Sequence, residues 1–111
     1  MLTQSSLDFI KERAEKFGAK RVLLFGSALT GPEEEANDID LAVEGLDSLQ
    51  AYGFTMELFE ALELGEKPVD VVRMEARAPI LPIILDEGIE IYREHENTVL
   101  PVLPPSRRED A

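Results

Sequence analysis

Two carboxylates, Asp38 and Asp40, are separated by one residue in the run Asp38-Ile39-Asp40-Leu41, ten residues after the pair Gly26-Ser27. On an extended strand, side chains at i and i+2 point to one face with roots about 6.5–7 Å apart, so both carboxylates can lean onto one or two divalent cations. Two bare negative charges at that separation repel by about 2–3 kcal/mol at an effective dielectric near 20. Ile39, Leu41 and Val43 make the surroundings apolar, which sharpens the need for a cation. Upstream, a glycine lets backbone amides approach an anion, and a serine hydroxyl donates to a phosphate oxygen. A Gly-Ser turn or an alternating acid pair is common by itself. Together, on successive strands, they are the chemistry of a metal-bound nucleotide.

Elements must position these groups, and the apolar pattern supplies them. Arg21 to Phe25 reads as a buried strand and Asp38 to Val43 as a second, joined by a loop from Gly26 to Asn37 with a turn at Gly31-Pro32 and one helical turn over Glu33 to Ala36. Ahead of them, Leu7, Ile10, Ala14 and Phe17 recur at helical spacing behind a capping Ser5 or Ser6, with Gly18 as the stop. Leu49, Tyr52, Met56 and Phe59 mark a second amphipathic helix within Leu46 to Leu64, and these side chains are assigned to the core. Val69 to Met74 reads as a third strand and Ile89 to Tyr92 as a fourth. Between them Pro79 to Glu87 reads as a third helix, whose Pro82 predicts a later start or a bend. The expected fold is α/β (α+β): a small mixed sheet of about four strands flanked by about three helices. Residues 1–94 form the expected domain, and 95–111 a Pro-rich C-terminal tail. The tail's run Val99-Leu100-Pro101-Val102-Leu103-Pro104-Pro105 predicts an extended arm packed on the domain or on a partner.

Gly26-Ser27, ten residues and Asp38-Ile39-Asp40 together resemble the signature of the DNA polymerase beta-like nucleotidyltransferase superfamily, and the short chain is similar to its minimal members, the MNT domains. The order of elements from Ser6 to about Tyr92 resembles theirs, and Asp70 in Lys67-Pro68-Val69-Asp70-Val71-Val72 falls where the family carries its third carboxylate. The resemblance implies nucleotidyl transfer from Mg2+-ATP. Asp38, Asp40 and Asp70 would be the catalytic, metal-binding acids for two Mg2+ ions, Asp70 would help activate the acceptor, and Gly26 and Ser27 would secure the beta and gamma phosphates. The resemblance also implies a partner. Small MNT proteins are frequently the antitoxin half of HEPN/MNT toxin-antitoxin pairs, in which a HEPN ribonuclease, expected here to be basic and helical, is neutralised by AMP transfer to a tyrosine. One departure stands out: many MNT proteins follow Gly-Ser with basic residues, whereas this chain has Ala28-Leu29-Thr30-Gly31 and then Glu33, Glu34 and Glu35. Three readings follow: Arg73 or Arg77 reaches the phosphates, a partner supplies the charge, or transfer is slow.

Composition narrows the classes. A chain of 111 residues forms one core, burying roughly two-thirds of its unfolded surface, so a second lobe to hold an acceptor is not expected. There is no cysteine and one histidine, His95, which excludes thiolate and His-cluster zinc sites. No apolar run reaches membrane-spanning length and the N-terminus lacks signal-peptide character, so cytoplasmic residence is the expectation. The net charge of −12 argues against a standing nucleic-acid ligand. Between Val22 and Glu66 there is no Lys or Arg but eleven acids, Glu33, Glu34, Glu35, Asp38, Asp40, Glu44, Asp47, Glu57, Glu60, Glu63 and Glu66. Such a face is either a solvated surface or a steering surface for a basic protein, in a homo- or hetero-oligomer. Two alternatives to a protein adenylyltransferase stand: an antitoxin that works by binding alone, and an aminoglycoside-type transferase, which the missing second domain disfavours.

Overall fold

The computed structural model describes residues 2–29, 38–61 and 67–94. The expected turn at Gly31-Pro32, the helical turn over 33–36, the end of the second helix at 62–65 and the 95–111 tail with His95 lie outside the described residues.

The first helix, α1, spans Gln4–Phe17. Its cap is Thr3 rather than Ser5 or Ser6: the Thr3 hydroxyl accepts from the Ser6 backbone N–H at 3.2 Å, and Ser6 is buried one turn inside. Three hydroxyl residues within four positions, Thr3, Ser5 and Ser6, offer the same capping chemistry, and burying Ile10 and Ala14 selects the register. Gly18 ends the helix in the left-handed region at φ 84°, where a glycine carries no steric penalty.

Four strands follow the predicted order: β1 Arg21–Phe25, β2 Ile39–Glu44, β3 Val69–Arg73 and β4 Ile89–Arg93. They form one mixed sheet in the order β3-β2-β1-β4. β1 pairs antiparallel with β2 and β4, and β2 pairs parallel with β3. The central β2 is therefore bonded on both sides, and it begins one residue later than expected, leaving Asp38 just before it.

Helix α2 spans Ser48–Phe59 behind a capping box, in which Asp47 accepts from the Gln50 N–H at 2.8 Å and Gln50 accepts from the Asp47 N–H at 3.0 Å. Helix α3 spans Leu81–Glu87, so the start is later than Pro79 and Pro82 falls in the first turn, where its missing N–H costs nothing. One face of the sheet carries Val22, Leu24, Ile39, Leu41 and Val43 against Ile10 and Ala14 of α1 and Phe54 and Leu58 of α2. The other face carries Leu23 and Ala42 against Met74, which follows β3, and Ile84 of α3. The expectation that Leu49, Tyr52, Met56 and Phe59 face the core is overturned for Leu49, Tyr52 and Phe59, while Met56 is half-buried. Ala51, Phe54 and Leu58 are the buried side chains of α2, while Leu49, Tyr52 and Phe59 are 80%, 65% and 44% exposed. The helix carries a second apolar stripe on its outer side, and spacing alone cannot say which stripe turns inward.

Phe54 is fully buried and meets Phe17 edge-on at 6.1 Å between ring centroids. Phe54→Ala is expected to lower the unfolding free energy by about 3–5 kcal/mol in urea denaturation, whereas Tyr52→Ala on the outer stripe changes it by less than about 0.5 kcal/mol.

Candidate functional site

Strand register brings the predicted acids together. In β2 the side chains of Asp40, Ala42 and Glu44 alternate with the core-facing Ile39, Leu41 and Val43. Across the parallel ladder Asp40 stands opposite Asp70 of β3, so their backbones are about 4.8 Å apart and both side chains leave the same face. The pairing extends one step upstream, because the Ile39 N–H donates to the Pro68 carbonyl at 2.9 Å. Asp38 precedes β2 and, with Asp70, acts electrostatically on Asp40. Asp40 is half-buried and Asp70 is exposed on an edge strand.

Phe25, the last residue of β1, pairs with Asp40, which puts Gly26 directly beside the acid. Gly26 has φ 78°, and a Cβ added there would land on the Asp40 carboxylate, 3.1 Å from Cγ. This glycine is required twice over, by its backbone angle and by the carboxylate packed on it. It opens a short 3-10 turn, Gly26–Leu29, that contains the Ser27 backbone; the Ser27 side chain lies outside what is described.

Partial burial raises the Asp40 pKa above the usual 3.8, and the charges of Asp38 and Asp70 raise it further. Among the described residues no three His, Cys, Asp or Glu side chains already stand close enough to hold one metal ion. A shared cation would therefore have to draw the Asp38, Asp40 and Asp70 carboxylates inward. As hard oxygen donors under mutual repulsion, they fit Mg2+ in kind.

The expected replacement cations are not delivered to this end of the sheet. Arg73 leaves the opposite face of β3, and its Nε donates to the Leu46 carbonyl at 2.8 Å. Arg77 follows the turn Met74–Ala76 beyond the far end of β3, whereas Asp70 sits near its start. Arg21 shares the acids' face but lies at the other end of β1, bridging Glu44 at 3.2 Å and Glu90 at 4.0 Å.

A feature that the sequence reading missed adjoins the acids. An apolar cavity of about 220 Å3 opens beside Gly26, with Phe25 and Leu29 on one wall and Ile80, Ile83, Ile84 and Glu87 of the α3 region on the other. Its signal was the run Pro79-Ile80-Leu81-Pro82-Ile83-Ile84-Leu85, too apolar for a seven-residue helix with one buried side.

The sequence profile of the family described as polymerase beta, nucleotidyltransferase, matches residues 9–97. No curated protein matches the chain by sequence. Solved structures do match its fold. A chain in the crystal structure of the toxin-antitoxin MntA-HepT superposes with a TM-score of 0.63 at 20% identity, over 86% of this chain and 76% of that one. A chain in the complex of a tri-AMPylated Shewanella oneidensis HEPN toxin with its MNT antitoxin gives 0.63 at 21% identity, over 85% and 75%. A chain of a toxin-antitoxin crystallised with AMP-PNP gives 0.61 at 18% identity, over 86% and 77%.

The raised Asp40 pKa makes a pH-dependent prediction. The folded protein holds the Asp40 proton more tightly than the unfolded chain, so this contribution to stability is present below pH 3.8 and is lost as pH rises through the folded value. Asp40→Asn is expected to raise the melting temperature at pH 7 without metal, and the gain should vanish below the ordinary carboxylate range. Calorimetry across pH reads both.

Proposed function

The chain belongs to the polymerase beta nucleotidyltransferase family, and on that premise we propose that it is a protein adenylyltransferase antitoxin that neutralises a HEPN ribonuclease toxin by transferring AMP from Mg2+-ATP. The observation that carries this reading is the in-register Asp40–Asp70 pair beside the Gly26 turn. A hard-cation donor set thereby adjoins a backbone suited to phosphate. The toxin-antitoxin neighbours, one with a tri-AMPylated HEPN toxin and one with AMP-PNP, support the choice of acceptor and nucleotide.

Each residue has a part. Asp38, Asp40 and Asp70 hold the metal, and Gly26 and Ser27 hold the outer phosphates. Mg2+, when bound, supplies the charge neutralisation that a triphosphate needs at its transferring phosphorus. The acceptor oxygen bonds to the alpha phosphorus, the bond from that phosphorus to the bridging oxygen breaks, and pyrophosphate leaves with the electron pair. Asp70, exposed on the edge strand, takes the acceptor proton. Deprotonated carboxylates are needed for both tasks, and the raised Asp40 pKa is offset once a cation sits among the three. Localisation in the cytoplasm suits such a partner. Among the described residues no helix is long and apolar enough to cross a membrane.

A second reading, neutralisation by binding alone, is favoured by one observation: Arg73 is turned to Leu46, away from the acids. The two readings part on one experiment. With the HEPN toxin, ATP and Mg2+, mass spectrometry is expected to show AMP added to a toxin tyrosine, and Asp38→Asn with Asp40→Asn to slow the transfer by about a hundredfold or more, since metal charge stabilisation is worth several kcal/mol. A toxin that gains no AMP mass, yet is still neutralised by the double variant, establishes the binding-only reading.

A further inference from the structure

The outer stripe of α2 is the apolar feature that neither the fold nor the site uses. Leu49, Tyr52, Met56 and Phe59 follow one another at spacings of three, four and three, so they line up along about 15 Å of helix. Leu49 is 80% and Tyr52 65% exposed, and the core-facing Ala51, Phe54 and Leu58 lie across the helix from them. This is the side-chain pattern that one helix offers another. Exposing it in water gains nothing for the isolated fold.

Charge identifies what covers it. At the N-terminal end of the stripe the nearby cation, Arg73, is engaged by the Leu46 carbonyl at 2.8 Å and the Ser48 hydroxyl at 3.5 Å. Exposed Asp47 and Glu60 bracket the stripe at the two ends of α2. The nearest cations of α1, Arg13 and Lys16, are already engaged by Glu57 at 3.0 and 2.9 Å. A second copy of a chain with net charge −12 would set acid against acid around the stripe, and an anionic bilayer would be repelled. We propose that the outer face of α2 is a docking surface for an amphipathic helix of a basic protein, whose apolar ridge packs on Leu49, Tyr52, Met56 and Phe59 while Lys or Arg residues at its two ends meet Asp47 and Glu60. The inference deepens the antitoxin reading and rests on it for the partner's biological identity. Apolar contact supplies the affinity, and the acids at the two ends together with the chain's net charge of −12 supply the approach and the choice of partner.

The test uses the full chain and a helical peptide of about 18 residues, with leucines at heptad a and d positions, lysines beside them and no aromatic residue. The protein has no tryptophan and two tyrosines, of which Tyr92 is buried, so acrylamide quenching of its fluorescence reports on Tyr52. The peptide is expected to shield Tyr52 severalfold. Leu49→Asp is expected to weaken binding about tenfold or more, although the added acid by itself would strengthen attraction to lysines. Leu85→Asp on α3 adds the same charge at another exposed apolar site and leaves the affinity unchanged. The proposal is overturned if Tyr52 stays as accessible with peptide as without, if Leu49→Asp binds as tightly as the parent, or if a glutamate-flanked peptide binds equally well. It is also overturned if Tyr52 is shielded by self-association seen in sedimentation, or by anionic vesicles. Peptide binding retained by Asp38→Asn with Asp40→Asn, alongside failed AMP transfer by the parent protein, would sink the enzymatic reading and leave the docking surface standing.

Discussion

Everything at the site depends on the parallel pairing of β2 with β3. Left to electrostatics, Asp40 and Asp70 would separate, but the ladder from Ile39–Val69 to Val43–Arg73 fixes their backbones side by side. β2 cannot yield, because it is bonded to β1 on its other edge and its Ile39, Leu41 and Val43 are fully buried. Burial of such side chains is worth about 1.5–3 kcal/mol each, which exceeds the repulsion between two carboxylates in a half-wet setting. Hydrophobic burial thus holds in place an arrangement of charge that the charges themselves oppose.

The two faces of the sheet divide the labour. The face covered by α1 and α2 carries most of the core, including Phe54, Ile10 and Leu58. The acid-bearing face keeps a smaller cluster of Leu23, Ala42, Met74 and Ile84 under the short α3. Thin cover on that face leaves room for a cavity beside Gly26 and leaves Asp70 open to solvent. Stability comes from one side and access from the other, so the site can be lined by mutually repelling acids without unfolding the domain.

Much of this was legible in the sequence, for physical reasons that also explain the rest. The strands read well because Val22 to Leu24 is a continuous apolar run and Ile39, Leu41 and Val43 alternate with Asp40, whereas the parallel register that sets Asp40 opposite Asp70 is a long-range pairing that no local pattern gives, and Asp70 was legible only through the family resemblance. The helix cap was displaced to Thr3 because Thr3, Ser5 and Ser6 offer the same hydroxyl. The inward face of α2 was misread because two apolar stripes share one helix, and only tertiary packing selects Phe54 over Tyr52. Strand alternation after Asp70 already puts Arg73 on the far face, but its bond to the Leu46 carbonyl, a contact across 27 positions of sequence, could not be read.

The packing of Gly26 on the Asp40 carboxylate makes these two positions, fourteen residues apart, a single thermodynamic unit. A methyl group at 26 meets the acid only while the acid keeps its full side chain, so the costs of altering the two positions are not additive. Shortening residue 40 relieves the collision and leaves only the strain of a positive φ, typically of the order of 1–3 kcal/mol. A backbone angle in β1's turn and a charge in β2 therefore vary together or not at all, and a chain that gives up its acid at position 40 also loses half of its reason to keep glycine at 26.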